Sequence, residues 1–234
     1  MLALFQQDSL AVAAGNLDPL LQEEKTLSLW NLFFESGLAG TVINIVLAVL
    51  LFVALYIYFE RWFAIKEATK TDKNFMLQIR DNVLNGNIEA AKIRCAQDNS
   101  PISRLTAKGI SMIGSPLEDI NKSIENAGRL EVYSLEKNVS TLATISGAAP
   151  MLGFLGTVIG MVIAFHELAM SGGQAQMGLL AQGIYTAMTT TVAGLIVGIV
   201  AYICYNHLVA KTDKVVHQME ANTVDFLDLL NEPA

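Results

Sequence analysis

The chain has 234 residues, of which 53% are apolar and only 16% charged, against roughly a quarter charged in an ordinary soluble domain. The formal charge is −7, and three runs, residues 36–59, 138–166 and 168–210, contain no Asp, Glu, Lys or Arg. Each run exceeds the roughly 20 residues that a helix needs to cross a bilayer. That excludes a soluble globular chain and predicts an all-α membrane protein with three transmembrane helices and long polar helical extensions.

Residues 1–37 read as an outer N-terminal segment, with Leu27, Trp30 and Phe34 on one face of an interfacial helix. Its start lacks a basic region, so residues 2–14 read as a leader and not as a signal peptide. Residues 38–59 form the first span, interrupted only by Asn44 as a helix-packing contact. Tyr56, Tyr58 and Trp62 make an aromatic belt at its inner end, and Glu60 and Arg61 are the membrane-interface charges there.

Residues 60–137 form a helical domain carrying 12 basic and 11 acidic residues. That near balance gives no footprint for nucleic acid. Phe75, Ile79 and Val83 recur at helical spacing until Asn85-Gly86 stops the run, and Asn87 can cap the next helix, 88–96. Ser100-Pro101 opens another, closed by Gly114. Ser115-Pro116-Leu117-Glu118 then reads as a capping box. No strong breaker follows before Pro150, so one continuous helix is expected to run from this box into the second span.

The second span is residues 138–165, the outer loop 166–178, the third span 179–207, and the C-terminal helix 208–234. Fourteen of the 15 Lys and Arg lie between Arg61 and Lys137 or at Lys211 and Lys214. By the positive-inside bias the N-terminus is outside and both the polar domain and the C-terminus are cytoplasmic. The two cysteines, Cys95 and Cys204, are too far apart in this topology to pair, and neither has the neighbours a zinc site needs. No metal or cofactor is expected, and no paired carboxylate or nucleophile–base arrangement suggests an enzyme.

Ten of the 17 glycines fall between Gly147 and Gly198. Gly153, Gly156, Gly160 and Ala164 keep close spacing in the second span. In the third, Gly183, Ala187, Thr190, Gly194, Gly198 and Ala201 fall within about a 100° arc. Small residues let membrane helices approach closely. Tight packing within one chain accounts for this, but two such faces in a three-span protein suggest packing against copies of itself. Pro150 frees the carbonyl of Ser146, which implies a kink and, more sharply, a hydrated pore. Thr157, Thr186, Thr189, Thr190 and Thr191 supply hydroxyls that either bond back to the backbone or line a polar path. The three spans themselves carry no carboxylate, lysine or arginine. Charge movement normally needs an ionisable group in the membrane, so a conducting role requires one lent by another subunit.

Glu60-Arg61-Trp62 resembles the hallmark of the ExbB/TolQ/MotA family of inner-membrane stator proteins. So does the run from Ala149-Pro150 through Gly156-Thr157-Val-Ile-Gly160, and so do residues 183–195 with Tyr205-Asn206. The resemblance covers about residues 27–215 and lies nearest to ExbB. It implies a multi-pass protein of the bacterial inner membrane with a periplasmic N-terminus, assembling as a homo-pentamer around a dimer of an ExbD/TolR-like single-span protein. That partner brings an aspartate into the pore, and proton flow past it drives a TonB-like periplasm-spanning protein. Thr157 and Thr191 match the family's pore-lining threonines. Thr186 departs from the pattern: the ExbB and TolQ branches carry glutamate there, and hydroxyls in its place suit sodium as well as protons. The readings set beside this one are a stator for Tol-Pal, gliding or motility, a non-conducting membrane scaffold, and the membrane subunit of a small-molecule transporter.

Overall fold

A computed structural model describes residues 37–70, 74–170 and 177–231. The expected interfacial segment around Trp30, the leader before it and the tip of the outer loop lie outside these residues. Seven helices occur, and no strand is present among the described residues: α1 (Gly37–Ala68), α2 (Phe75–Leu84), α3 (Ile88–Gln97), α4 (Pro101–Ile110), α5 (Leu117–Glu136), α6 (Val139–Met170) and α7 (Met177–Asn231). α1, α6 and α7 each contain a stretch long and apolar enough to cross a membrane. This is an all-α membrane protein.

The spans owe their shape to apolar composition on every face. On α1, Asn44, Leu47, Ala54 and Ile57 are buried toward the other helices, while Val42, Ile45, Val49 and Phe52 point outward. Exposed apolar side chains of this kind are what a lipid-facing surface requires. Among the described residues α6 and α7 share the most extensive contact, and α1 packs on both.

α2, α4 and α5 pack against α7, and α3 packs on α2 and α4. Ser100 caps α4 as its sequence predicts, its hydroxyl accepting from the Ser103 N–H at 3.2 Å with Pro101 at the first helical position. Gly86 has φ +71°, which explains the stop after α2. Asn87 occupies the N-cap position of α3 without a side-chain bond. α4 ends at Ile110 rather than at Gly114, which lies in the following turn with φ +99°. Arg104 on α4 holds Glu131 on α5 through two bonds of 2.7 and 2.6 Å. That contact pushes the guanidinium pKa further up. Cys95 and Cys204 are both buried and unpaired, and burial pushes the Cys95 thiol up to about 11.

Two expectations are corrected here. The capping box at Ser115 does not form, because Pro116 itself takes the N-cap position. Glu118 then falls at the second helical position, one short of where its carboxylate could reach back. The continuous helix into the second span is also broken: α5 stops at Glu136, and Asn138 has φ +63° before α6 begins. Asparagine is among the few residues that accept the left-handed region at small cost. The Thr141 N–H closes this turn on the Asn138 carbonyl at 3.1 Å.

Gly109 sets the distance between α4, α5 and α7. A Cβ there would collide with the Phe226 ring and lie 2.8 Å from Ile124 Cδ1. Phe226 and Ile124 are among the most deeply buried side chains in the chain, with little room to yield. Gly109→Val is therefore expected to cost about 2 kcal/mol by overpacking. Limited proteolysis should show faster cleavage of the polar helices with the three spans intact.

Candidate functional site

The glycine stripes of α6 and α7 face each other. A Cβ on Gly153 would lie 2.7 Å from the Thr190 carbonyl oxygen, and one on Gly194 would lie 2.6 Å from the Ala149 oxygen and 2.9 Å from Gly153 Cα. Gly160 meets Ala187, and Gly183 meets Ala164. Gly156 faces the side chain of Thr190. The register is antiparallel and runs the whole length of the contact. Both small-residue faces are thus consumed within one chain, which corrects the expectation that they pack against copies.

Pro150 belongs to the same contact. α6 continues through it as a single helix, and Gly198 leaves room for its ring: a Cβ there would lie 2.6 Å from Pro150 Cγ. The same Cβ would lie 3.1 Å from the Ser146 carbonyl oxygen that the proline deprives of its N–H partner. The freed carbonyl thus faces the backbone of α7 at a glycine.

At the centre of the contact three hydroxyls meet two carbonyls. Thr157 Oγ1 donates to the Ala187 oxygen at 3.0 Å and is in hydrogen-bond contact with Thr191 Oγ1. Thr191 Oγ1 reaches the Gly153 oxygen at 3.2 Å. Thr190 Oγ1 reaches both carbonyls, Ala187 at 2.8 Å and Gly153 at 3.3 Å. Thr157 and Thr191 are half-buried, whereas Thr190 is 0% exposed. Thr190 was expected on a polar lining; it sits instead inside the helix contact, because it lies in the same arc as Ala187 and Gly194. Thr186 is half-buried one turn away, outside this cluster, and its carbonyl accepts from Thr189 Oγ1 at 3.0 Å. Thr189 also bonds back to the Tyr185 carbonyl at 2.8 Å.

Thr157 opens on its other side into a shallow depression of about 650 Å³ lined by Phe154, Thr157, Val158, Met161, Val162, Phe165 and His166. Its walls are apolar apart from the Thr157 hydroxyl and the imidazole. A helix laid there would meet a single hydroxyl at mid-span, and behind it the Thr191 hydroxyl.

The charges toward the C-terminal end of α1 are tied into the fold. Arg61 donates to Glu60 at 2.5 Å and to the Ser134 carbonyl at 3.1 Å, which anchors α1 to the last turn of α5 beside the Asn138 break. One contact escaped sequence reasoning: the Tyr58 hydroxyl meets His207 Nδ1 at 2.8 Å, joining α1 to α7. Tyr58 and His207 were each legible as residues at the inner border of a span, but nothing in their spacing pairs them.

The family model described as the MotA/TolQ/ExbB proton channel family matches residues 97–221. That range contains the whole α6–α7 contact and excludes Glu60 and Arg61. An ExbB homolog from Methanothermobacter thermautotrophicus, described as a biopolymer transport protein, is 30% identical over 135 residues, 58% of this chain and 47% of its own length. An ExbB-like protein from Synechocystis is 29% identical over 179 residues, covering 75% of this chain and 70% of that one. The Tol-Pal system protein TolQ from Haemophilus influenzae is 37% identical over 106 residues, 44% of this chain and 45% of its own length. The chain thus spans about half the length of two of these three relatives.

Proposed function

The chain belongs to the MotA/TolQ/ExbB proton channel family, and from that premise we propose that it is the ring-forming, ion-conducting subunit of an inner-membrane motor. The observation that carries this reading is the Thr157 hydroxyl at the edge of an apolar depression, paired with the Thr191 hydroxyl behind it, in spans that contain no Asp, Glu, Lys or Arg. Such a site has donors for a carboxylate but no carboxylate of its own. A single-span partner of the ExbD/TolR kind, bearing an aspartate, supplies what is missing.

In this reading five copies surround two copies of the partner, with the N-terminus periplasmic and the C-terminus cytoplasmic. The distribution of Lys and Arg supports that orientation. Hydroxyl donation favours the charged form of the partner's aspartate and so lowers its pKa. Withdrawal of that donation lets it take a proton. Each charge that crosses 100 mV releases about 2.3 kcal/mol, and the family's use of such energy is mechanical. The leading destination is a TonB-like protein energising outer-membrane transport. The similarity to TolQ favours a second destination, the Tol-Pal system.

Native mass spectrometry of the chain co-expressed with a single-span, aspartate-bearing neighbour tests the architecture. A five-to-two complex is expected. A monomer or dimer that ignores the neighbour overturns the reading and favours a scaffold. Deletion in cells separates the two destinations: loss of chelated-iron uptake marks a TonB-type system, and detergent sensitivity with a leaky outer membrane marks a Tol-Pal type.

A further inference from the structure

The hydroxyl cluster has a donor–acceptor balance that gives Thr190 a task of its own. Each carbonyl oxygen has two lone pairs. Inside a helix, one lone pair on the Gly153 oxygen and one on the Ala187 oxygen are taken by the N–H four residues on. One place remains on each carbonyl. The third acceptor place is on whichever of Thr157 and Thr191 receives from the other. Three hydroxyl protons therefore face three places.

They can fill those places in two ways. In the first, Thr157 donates to Ala187, Thr191 donates to Thr157, and Thr190 donates to Gly153. In the second, Thr157 donates to Thr191, Thr191 donates to Gly153, and Thr190 donates to Ala187. Thr190 is the only one of the three with both carbonyls in reach, at 2.8 and 3.3 Å. Changing from one arrangement to the other needs only rotation of hydroxyl protons, with no heavy atom displaced.

We propose that Thr190 is a positioning residue that releases Thr157 or Thr191 to donate outward, by taking over whichever carbonyl the outward-turning hydroxyl leaves. This rests on the reading of Thr157 and Thr191 as donors to a partner's carboxylate. When Thr157 turns outward, Thr190 serves Ala187 and Thr191 serves Gly153. When Thr191 turns outward, Thr157 serves Ala187 and Thr190 serves Gly153. In both states every carbonyl place is filled, which matters where no water is available to fill it. Without the Thr190 hydroxyl, outward donation strips one carbonyl of a partner, and both hydroxyls stay committed to the backbone. Thr190 never touches the ion path, since it is fully buried.

The test uses the chain purified with its single-span partner and reconstituted into vesicles, with proton entry read by an internal pH dye under an imposed potassium–valinomycin potential. Thr190→Val removes the donor and keeps the shape; Thr190→Ala removes it without adding bulk against Gly156; Thr190→Ser keeps the donor. Flux is expected to fall about tenfold in the first two, the loss for one hydrogen bond left unmade in the working state. It should return to within about twofold of the parent in Thr190→Ser, with assembly by native mass spectrometry unchanged. Equal losses in Thr190→Ser and Thr190→Val assign the residue to packing and overturn the proposal. Parent-like flux in Thr190→Val or Thr190→Ala, alongside loss in Thr157→Val, overturns it while leaving the channel reading in place. Full flux in Thr157→Val and Thr191→Val as well overturns the channel reading itself.

Discussion

Thr157→Val should reduce ion flux by about a hundredfold, the usual consequence of deleting one donor aimed at a charge in a dry site. The assembled protein should survive. Thr157 donates to the Ala187 carbonyl at 3.0 Å, but that carbonyl is also within 2.8 Å of Thr190 Oγ1, so it is not orphaned when the Thr157 hydroxyl goes. Valine matches threonine in shape, and the half-buried site faces an apolar depression that accepts a methyl group. Melting temperature and subunit stoichiometry are therefore expected to stay near those of the parent. Thr157→Ser should keep most of the flux. Full flux in Thr157→Val, measured in reconstituted vesicles with the partner present, would remove the hydroxyl pair from the mechanism.

A larger structural effect is expected from Gly194→Val. The obstacle at this position is backbone, the Ala149 oxygen at 2.6 Å and Gly153 Cα at 2.9 Å from the position of a Cβ. A flexible side chain could swing aside, but a helix backbone cannot. The two helices must separate, and the cross-helix bonds of Thr157, Thr190 and Thr191 are lost together. A cost of about 3 kcal/mol or more follows from overpacking plus broken buried hydrogen bonds. Thermal unfolding in detergent should show it as a much lower midpoint, with Gly194→Ala intermediate. Gly147→Ala is the matching control on α6: nothing lies within 4 Å of its Cβ position. Its expected effect is a slight gain, below about 1 kcal/mol, from helix propensity. Equal losses at the two positions would refute the close-contact account.

The three spans were legible because absence of charge over more than 20 residues has few other meanings. The Ser100-Pro101 start of α4 was legible because cap and proline occupy adjacent positions with a fixed geometry. The break at Asn138 was not, since asparagine announces a left-handed residue far less clearly than glycine, and Leu135, Glu136 and Lys137 just before it are good helix formers. The Ser115 box failed by one register position, a shift smaller than any pattern resolves. The small-residue arc of the third span was correctly drawn, but an arc names no partner. That it meets α6 of the same chain is a fact of three dimensions. Thr190 illustrates the point best. It belonged both to that arc and to the list of hydroxyls, and the arc was the better guide to its burial.

The length of α7 has a mechanical consequence. Its 55 residues form one helix from Met177 to Asn231, which at 1.5 Å per residue is a rod of about 80 Å. Only about 30 Å of it fits within the hydrocarbon layer. The same rod carries Thr191 in the helix contact and Phe226 locked against Gly109 and Ile124. With no glycine after Gly198 and no proline within it, it has no obvious place to bend. A twist or tilt imposed at the hydroxyl cluster is therefore carried along one unbroken helix to the polar helices packed at its far end. In the proposed motor, whatever those helices grip senses each ion that passes.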